Sequence, residues 1–316
     1  MRLSLRIFLP AMLRRFVLAA SALAGVPLAA AWLISQQVMH PKARVEDHDL
    51  DDFDLRAEGI SFRSRDGTRL AGWFIPAPGA APSPGIVLSH GWARSRAELL
   101  PHANFLHRAG FAALAFDYRH RGKSDGDAVT LGVREQEDLR GALDFLAARP
   151  EVDAGRIGAL GMSMGSVVAI LVAASDPRVR ALVAECPFAS FDAIMTRALR
   201  HYYHLPTFPI APLAKWLIER RLGVSLNGPQ PADAVAALRP RPVFIIADER
   251  DAVIGADETE RVFRAAEEPK RFWLIPGADH ARGWQAARQE YEERVVAFFR
   301  VALGVPAVPA EYAREP

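Results

Sequence analysis

The chain has 316 residues, half of them apolar, and carries 39 Lys and Arg against 37 Asp and Glu for a formal charge of +2. Six of those basic residues (Arg2, Arg6, Arg14, Arg15, Lys42, Arg44) precede the first acid, Glu46, leaving 33 (39 less 6) against 37, a mildly acidic body with no nucleic-acid footprint. The single cysteine, Cys186, excludes an intrachain disulfide, and the length suits one α/β domain of about 250 residues rather than two.

No charged residue occurs from 16 to 34. At about 1.5 Å per residue this run reaches across roughly the 30 Å of a bilayer's hydrocarbon core, which predicts a membrane helix within residues 1–39. Arg14 and Arg15 directly before it hold the short N-terminus in the cytoplasm and send the body across. Ala29-Ala30-Ala31 offers the competing pattern of a cleaved signal peptide, but the run is longer than a usual signal core. Either way the body is expected outside the cytoplasm, periplasmic or extracellular, anchored or secreted. Residues 40–56, with Glu46, Asp47, Asp49, Asp51, Asp52 and Asp54, read as an acidic tether.

Residues 59–64 and 68–75 read as a hairpin around Arg65-Asp66-Gly67, followed by a Pro/Ala/Gly loop to residue 84. Strand and helix patterns then alternate: strand 85–88, helix 96–108, strand 112–117, helix 135–148, strand 156–160, helix 167–175 and strand 181–185. Strands 242–247 and 271–275 follow, each with a helical pattern after it; Asp257 is placed as the N-cap of the first of these helices. This alternation predicts a mostly parallel sheet with helices on both faces and ligands at the carboxyl ends of its strands. Between 187 and 238 the alternation stops for too long to be a bare connection. Helical patterns at 191–203 and 210–222, broken by Leu205-Pro206-Thr207-Phe208-Pro209, predict an inserted lid after the sixth strand. The catalytic domain is thus read as 57–302, with 303–316 a C-terminal tail.

Gly161-Met162-Ser163-Met164-Gly165 lies between a strand pattern and a helix pattern. A serine on such a strained turn projects from the sheet edge, and small residues two positions away let strand and helix approach. Its hydroxyl is a poor nucleophile until a base, itself oriented by a third group, takes its proton. His280 occupies the loop after the last strand and follows every other histidine. Among acids at strand ends, Asp251 lies far enough past residue 247 to turn back toward His280, with Asp248 an alternative and Asp279 less suited. The oxyanion of a tetrahedral intermediate needs two donors. The backbone N–H of Met164, after the serine, is one; that of Trp92 in His90-Gly91-Trp92 is the other, with Gly91 as the fallback. His90 itself reads as orienting that loop. Arg119, Arg121 and Lys123 read as a structural turn, and Cys186 as a buried inert thiol. His201 and His204 have no third ligand nearby, so no metal and no cofactor is expected.

Leu88-Ser89-His90-Gly91-Trp92, the run from Phe116 to Gly126, Gly161 to Gly165, Glu185-Cys186-Pro187-Phe188 and Gly277-Ala278-Asp279-His280 together resemble the α/β-hydrolase superfamily over residues 56–302. The similarity is greatest to bacterial serine hydrolases related to prolyl-oligopeptidase-like and acyltransferase-like members. It implies a triad of Ser163, Asp251 and His280, and departs at Ile254, where many relatives carry proline. The expected activity is hydrolysis of a small acyl substrate, an ester or thioester, through an acyl-enzyme. The alternatives are a peptidase on the same fold and a non-catalytic binding protein.

Overall fold

The computed structural model describes residues 25–44, 48–53, 55–79 and 81–305. Eight strands form one sheet in the order β1-β2-β4-β3-β5-β6-β7-β8. They are β1 (Glu58–Arg63), β2 (Arg69–Ile75), β3 (Ser83–Ser89), β4 (Ala112–Phe116), β5 (Val152–Met162), β6 (Val179–Glu185), β7 (Val243–Asp248) and β8 (Lys270–Ile275). β1 pairs antiparallel with β2, as the Asp-Gly turn requires, and β2 antiparallel with β4; every later pairing is parallel.

The parallel strands are almost wholly apolar because both faces of the sheet are covered. Val87 and Leu114 face one layer, Ile86 and Ala113 the other. The first layer comprises α3 (Glu135–Ala147), α4 (Met164–Ser175) and α8 (Ala256–Ala265). The second comprises α2 (Leu100–Arg108) and α10 (Arg288–Ala302), the latter following the short α9 (Gly283–Ala286). The insertion after β6 holds α5 (Phe191–Tyr203), α6 (Ile210–Leu222) and the short α7 (Pro231–Ala234).

Residues 25–39 form α1. Among the described residues no helix is long and apolar enough to cross a membrane. The predicted span of 16–34 therefore divides. Its first nine positions, with the rest of residues 1–24, lie outside the described residues, and its last ten belong to α1. Ala31, Ile34 and Met39 are buried in one cluster with Met195 and Leu199 of α5 and Ile210, Ala214 and Ile218 of α6. This part of the run has found a protein partner for its apolar face.

The predicted tether is also anchored in its described parts. The Arg44 N–H donates to Ala93 O at 3.1 Å, and the His48 ring packs edge-on against Phe53 and Trp284. Asp257 is not the cap of α8. Gly255, at φ 89°, takes that position, and Asp257 is the second residue of the first turn, paired with Arg197 at 3.0 Å. A left-handed φ is easily reached by glycine, so the chain turns there without a side-chain cap.

Candidate active site

Ser163 stands between β5 and α4 at φ 55° and ψ −120°. A residue other than glycine persists in this strained region only where the surroundings over-determine it. The surroundings here are close: a Cβ on Gly161 would lie 2.5 Å from Gly165 O, and one on Gly165 2.1 Å from Ser89 O. The positions two before and two after the serine are thus barred to larger residues. The Ser163 N–H donates to Glu185 O at 2.9 Å, and the Ser166 hydroxyl to Ser163 O at 2.6 Å.

The Ser163 hydroxyl lies 3.0 Å from His280 Nε2, and His280 Nδ1 lies 2.7 Å from Asp251 Oδ2. With Nδ1–H donating to the carboxylate, Nε2 is left as an acceptor facing the serine proton. Asp251 Oδ1 accepts the N–H groups of Val253 and Ile254, both at 2.8 Å. Burial alone would raise this carboxyl; the His280 hydrogen bond and charge, joined by those two N–H groups, hold it below the ordinary carboxylate value. The turn is closed with Ile254 in place of the proline found in many relatives, and Ile254 donates an N–H that proline lacks.

Asp248 does not touch His280. Its Oδ2 accepts from the Cys186 thiol at 3.1 Å and the Arg282 N–H at 3.3 Å. Asp279 is exposed on the loop. The cavity above Ser163, about 160 Å³, includes Gly91, Trp92 and Met164 in its walls. The Gly91 N–H is taken by Glu98 Oε2 at 2.7 Å, which removes the fallback donor. The N–H groups of Trp92 and Met164 have no acceptor among the described residues. His90 is fully buried, donating from Nδ1 to Gly91 O at 2.7 Å and accepting the Tyr118 N–H at Nε2 at 3.0 Å. Burial lowers it to about 4, so it is a neutral brace for the loop.

The basic run after β4 points away from the cavity. Arg119 is buried against Asp138 at 2.6 Å and Asp66 at 2.7 Å, and Arg121 donates to Pro41 O at 3.0 Å. His201 and His204 are exposed at the end of α5.

Beneath the serine Asp248 lies beside Glu185, an acid to which the sequence analysis gave no catalytic role. Glu185 accepts from the Tyr291 hydroxyl and from the Gly283 N–H at 3.2 Å. Ligand atoms of Glu185, Cys186 and Asp248 lie within 4.8 Å of one another, and Asp248 Oδ1 has no hydrogen-bond partner among the described residues. Burial pushes Glu185 well above the carboxylate range, with the Asp248 charge adding to it; burial raises Asp248 to about 6. An acid closing the apolar run of residues 181–184 is the signal that marks Glu185 in the sequence.

A raised folded-state pKa gives a contribution that is complete below the unfolded value, about 4.3, and is lost as pH rises through the folded one. Wild type should therefore lose thermal stability relative to Glu185→Gln by about 2 °C or more per pH unit between pH 6 and 8. Melting curves of the two proteins across that range check this; parallel curves would show that Glu185 is ionised.

A family model described as X-Pro dipeptidyl-peptidase (S15 family) matches residues 66–206. The uncharacterized protein Rv2307c of Mycobacterium tuberculosis is 31% identical over 221 residues, 70% of this chain and 71% of its own. The uncharacterized protein YqkD of Bacillus subtilis is 26% identical over 300 residues, 90% of this chain and 97% of its own. Among solved structures, the Pyrococcus furiosus esterase Pf2001 superposes with a TM-score of 0.70 at 24% identity, covering 84% of this chain and 99% of that one.

Proposed function

We propose, from the premise that this chain belongs to the α/β-hydrolase superfamily and to one family with its mycobacterial relative, that it is a serine hydrolase of carboxylic esters. The observation that carries the reading is the relay from Ser163 through His280 to Asp251 on the floor of a mainly apolar cavity. Ser163 Oγ attacks the ester carbonyl carbon and His280 Nε2 takes its proton. The resulting oxyanion is held by the N–H groups of Met164 and Trp92. Collapse expels the alkoxide, which receives the Nε2 proton. A water then gives its proton to Nε2 and attacks the acyl carbon, releasing the acid and restoring Ser163.

The S15 family match favours a second reading, a peptidase that captures an N-terminal ammonium. Such capture needs a carboxylate free to face the substrate. Among the described residues lining the cavity, Glu98 is the one acid, and it is engaged by the Gly91 N–H and by Arg94 at 2.9 Å. Arg44 in the same wall opposes an ammonium. This charge arrangement supports the ester reading. The test compares p-nitrophenyl butyrate and octanoate with alanyl-prolyl-p-nitroanilide on the purified full chain. The esters are expected to exceed the anilide in kcat/KM by about a thousandfold or more, equivalent to about 4 kcal/mol of barrier. The reverse order would install the peptidase.

A further inference from the structure

Seven of the nine exposed large apolar side chains among the described residues lie on α1 and the lid, the other two being Leu274 and Val301. α1 has apolar residues on two faces. One face packs on α5 and α6; the other presents Val26 (69% exposed), Leu28, Trp32 and Leu33 (60%). The lid adds Tyr202, Phe208 (80%) and Trp216 (54%). A helix apolar all round is stable in water only if its second face is also covered. A soluble chain rarely gathers this much exposed apolar surface without a partner.

α1 is fixed where it lies. Gln37 Oε1 accepts from the Tyr203 hydroxyl at 2.8 Å, Val38 O from the Trp92 indole at 3.0 Å, and Met39 O from the Val129 N–H at 2.9 Å. Val38 is itself part of the wall of the Ser163 cavity. A groove of about 760 Å³ runs beside it, lined by Leu33, Lys42, Arg44, Trp92 and Tyr202. Arg44, Trp92 and Tyr202 also line the Ser163 cavity, so groove and cavity share walls.

We infer that this face rests on a lipid bilayer and that the substrate is an amphiphilic ester taken from the leaflet, its acyl chain entering along the groove between α1 and α5. The substrate class rests on the ester-hydrolase reading above. Three features select a bilayer as the occupant. The apolar run continues N-terminally from α1, since residues 16–24 carry no charge and follow Arg14 and Arg15. Trp32 and Trp216 are amphipathic rings suited to the headgroup level. Lys42 and Arg44 line the groove as cations suited to anionic headgroups. In this arrangement α1 lies along the surface and its docking turns the groove toward the lipid, a role beyond that of a passive tether.

The experiment uses the full chain reconstituted with phosphatidylcholine/phosphatidylglycerol vesicles. Trp32 contact is read as fluorescence quenching by brominated lipid, wild type against Trp32→Phe. Turnover is read on p-nitrophenyl butyrate in solution and on a diacylglycerol embedded in the vesicles. Quenching that falls in Trp32→Phe, with the remainder arising from Trp216, is expected. Trp32→Asp combined with Phe208→Asp should keep soluble-ester turnover within about twofold and lose at least tenfold on the embedded ester. Absence of a Trp32-dependent quenching difference, including the case where a second copy of the chain covers the face, overturns the inference. So does a double variant that loses both activities equally or neither. If wild type turns over neither ester while Trp32 is quenched, the ester reading fails and the bilayer contact stands.

Discussion

Replacing Ser163 by alanine is expected to lower kcat on p-nitrophenyl butyrate by about 10⁵-fold, the scale on which removal of a triad nucleophile acts. The reason is geometric. The hydroxyl lies 3.0 Å from His280 Nε2, and Ser163 sits at φ 55° on a turn that Gly161 and Gly165 permit by having no Cβ where none would fit. Alanine is smaller and loses no structural hydrogen bond made by the side chain other than that to His280, so the variant should fold and retain the cavity. Labelling by a fluorophosphonate gives an independent reading: wild type reacts at Ser163 and the variant does not. Unchanged turnover by Ser163→Ala would overturn the Ser163 mechanism, and a wild type inert to the probe would return the chain to the binding-protein alternative.

The second large effect separates two aspartates three positions apart. Asp251→Asn should cost about 10⁴-fold in kcat. Asp251 Oδ1 accepts two N–H groups, from Val253 and Ile254, so the amide oxygen of asparagine is held in that position. The NH₂ then faces His280 Nδ1, which must become an acceptor. The imidazole is left in the tautomer with its proton on Nε2, unable to take the proton of Ser163. Asp248→Asn should cost less than about tenfold, because Asp248 bonds to Cys186 and the Arg282 N–H rather than to His280. Steady-state kinetics on both variants checks the pair. Equal losses would show that Asp248 acts on the same imidazole.

The strand–helix alternation, the first hairpin and the elbow are legible because each rests on local pattern, whereas the strand order depends on how distant segments pair. Asp-Gly closes the β1–β2 hairpin, buried strands read as apolar runs, and the spacing of Gly161, Ser163 and Gly165 reflects contacts between adjacent elements. Where a side chain points after its strand ends is a longer-range matter. Asp248 and Asp251 share one strand end, and only the packing of the 276–283 loop decides which meets His280. The same holds for Gly91, whose N–H is claimed by Glu98 from the following turn, and for Asp257, which pairs with Arg197 of the lid.

The N-terminal segment separates the two kinds of information most clearly. Composition states that residues 16–34 avoid water, and it is the same whether the partner is lipid or protein. Hydrophobic burial has no direction, so hydropathy alone cannot name what covers a face. The tertiary structure decides it for Ala31, Ile34 and Met39, which α5 and α6 cover, and leaves Val26, Trp32 and Leu33 outward. What the sequence by itself determined is the fold class and the set of residues able to form a serine relay, since periodicity and turn chemistry are local. What only the folded chain decided is which aspartate meets His280, which N–H groups are left open beside the cavity and which helix joins its wall, because those depend on contacts between segments far apart in the chain.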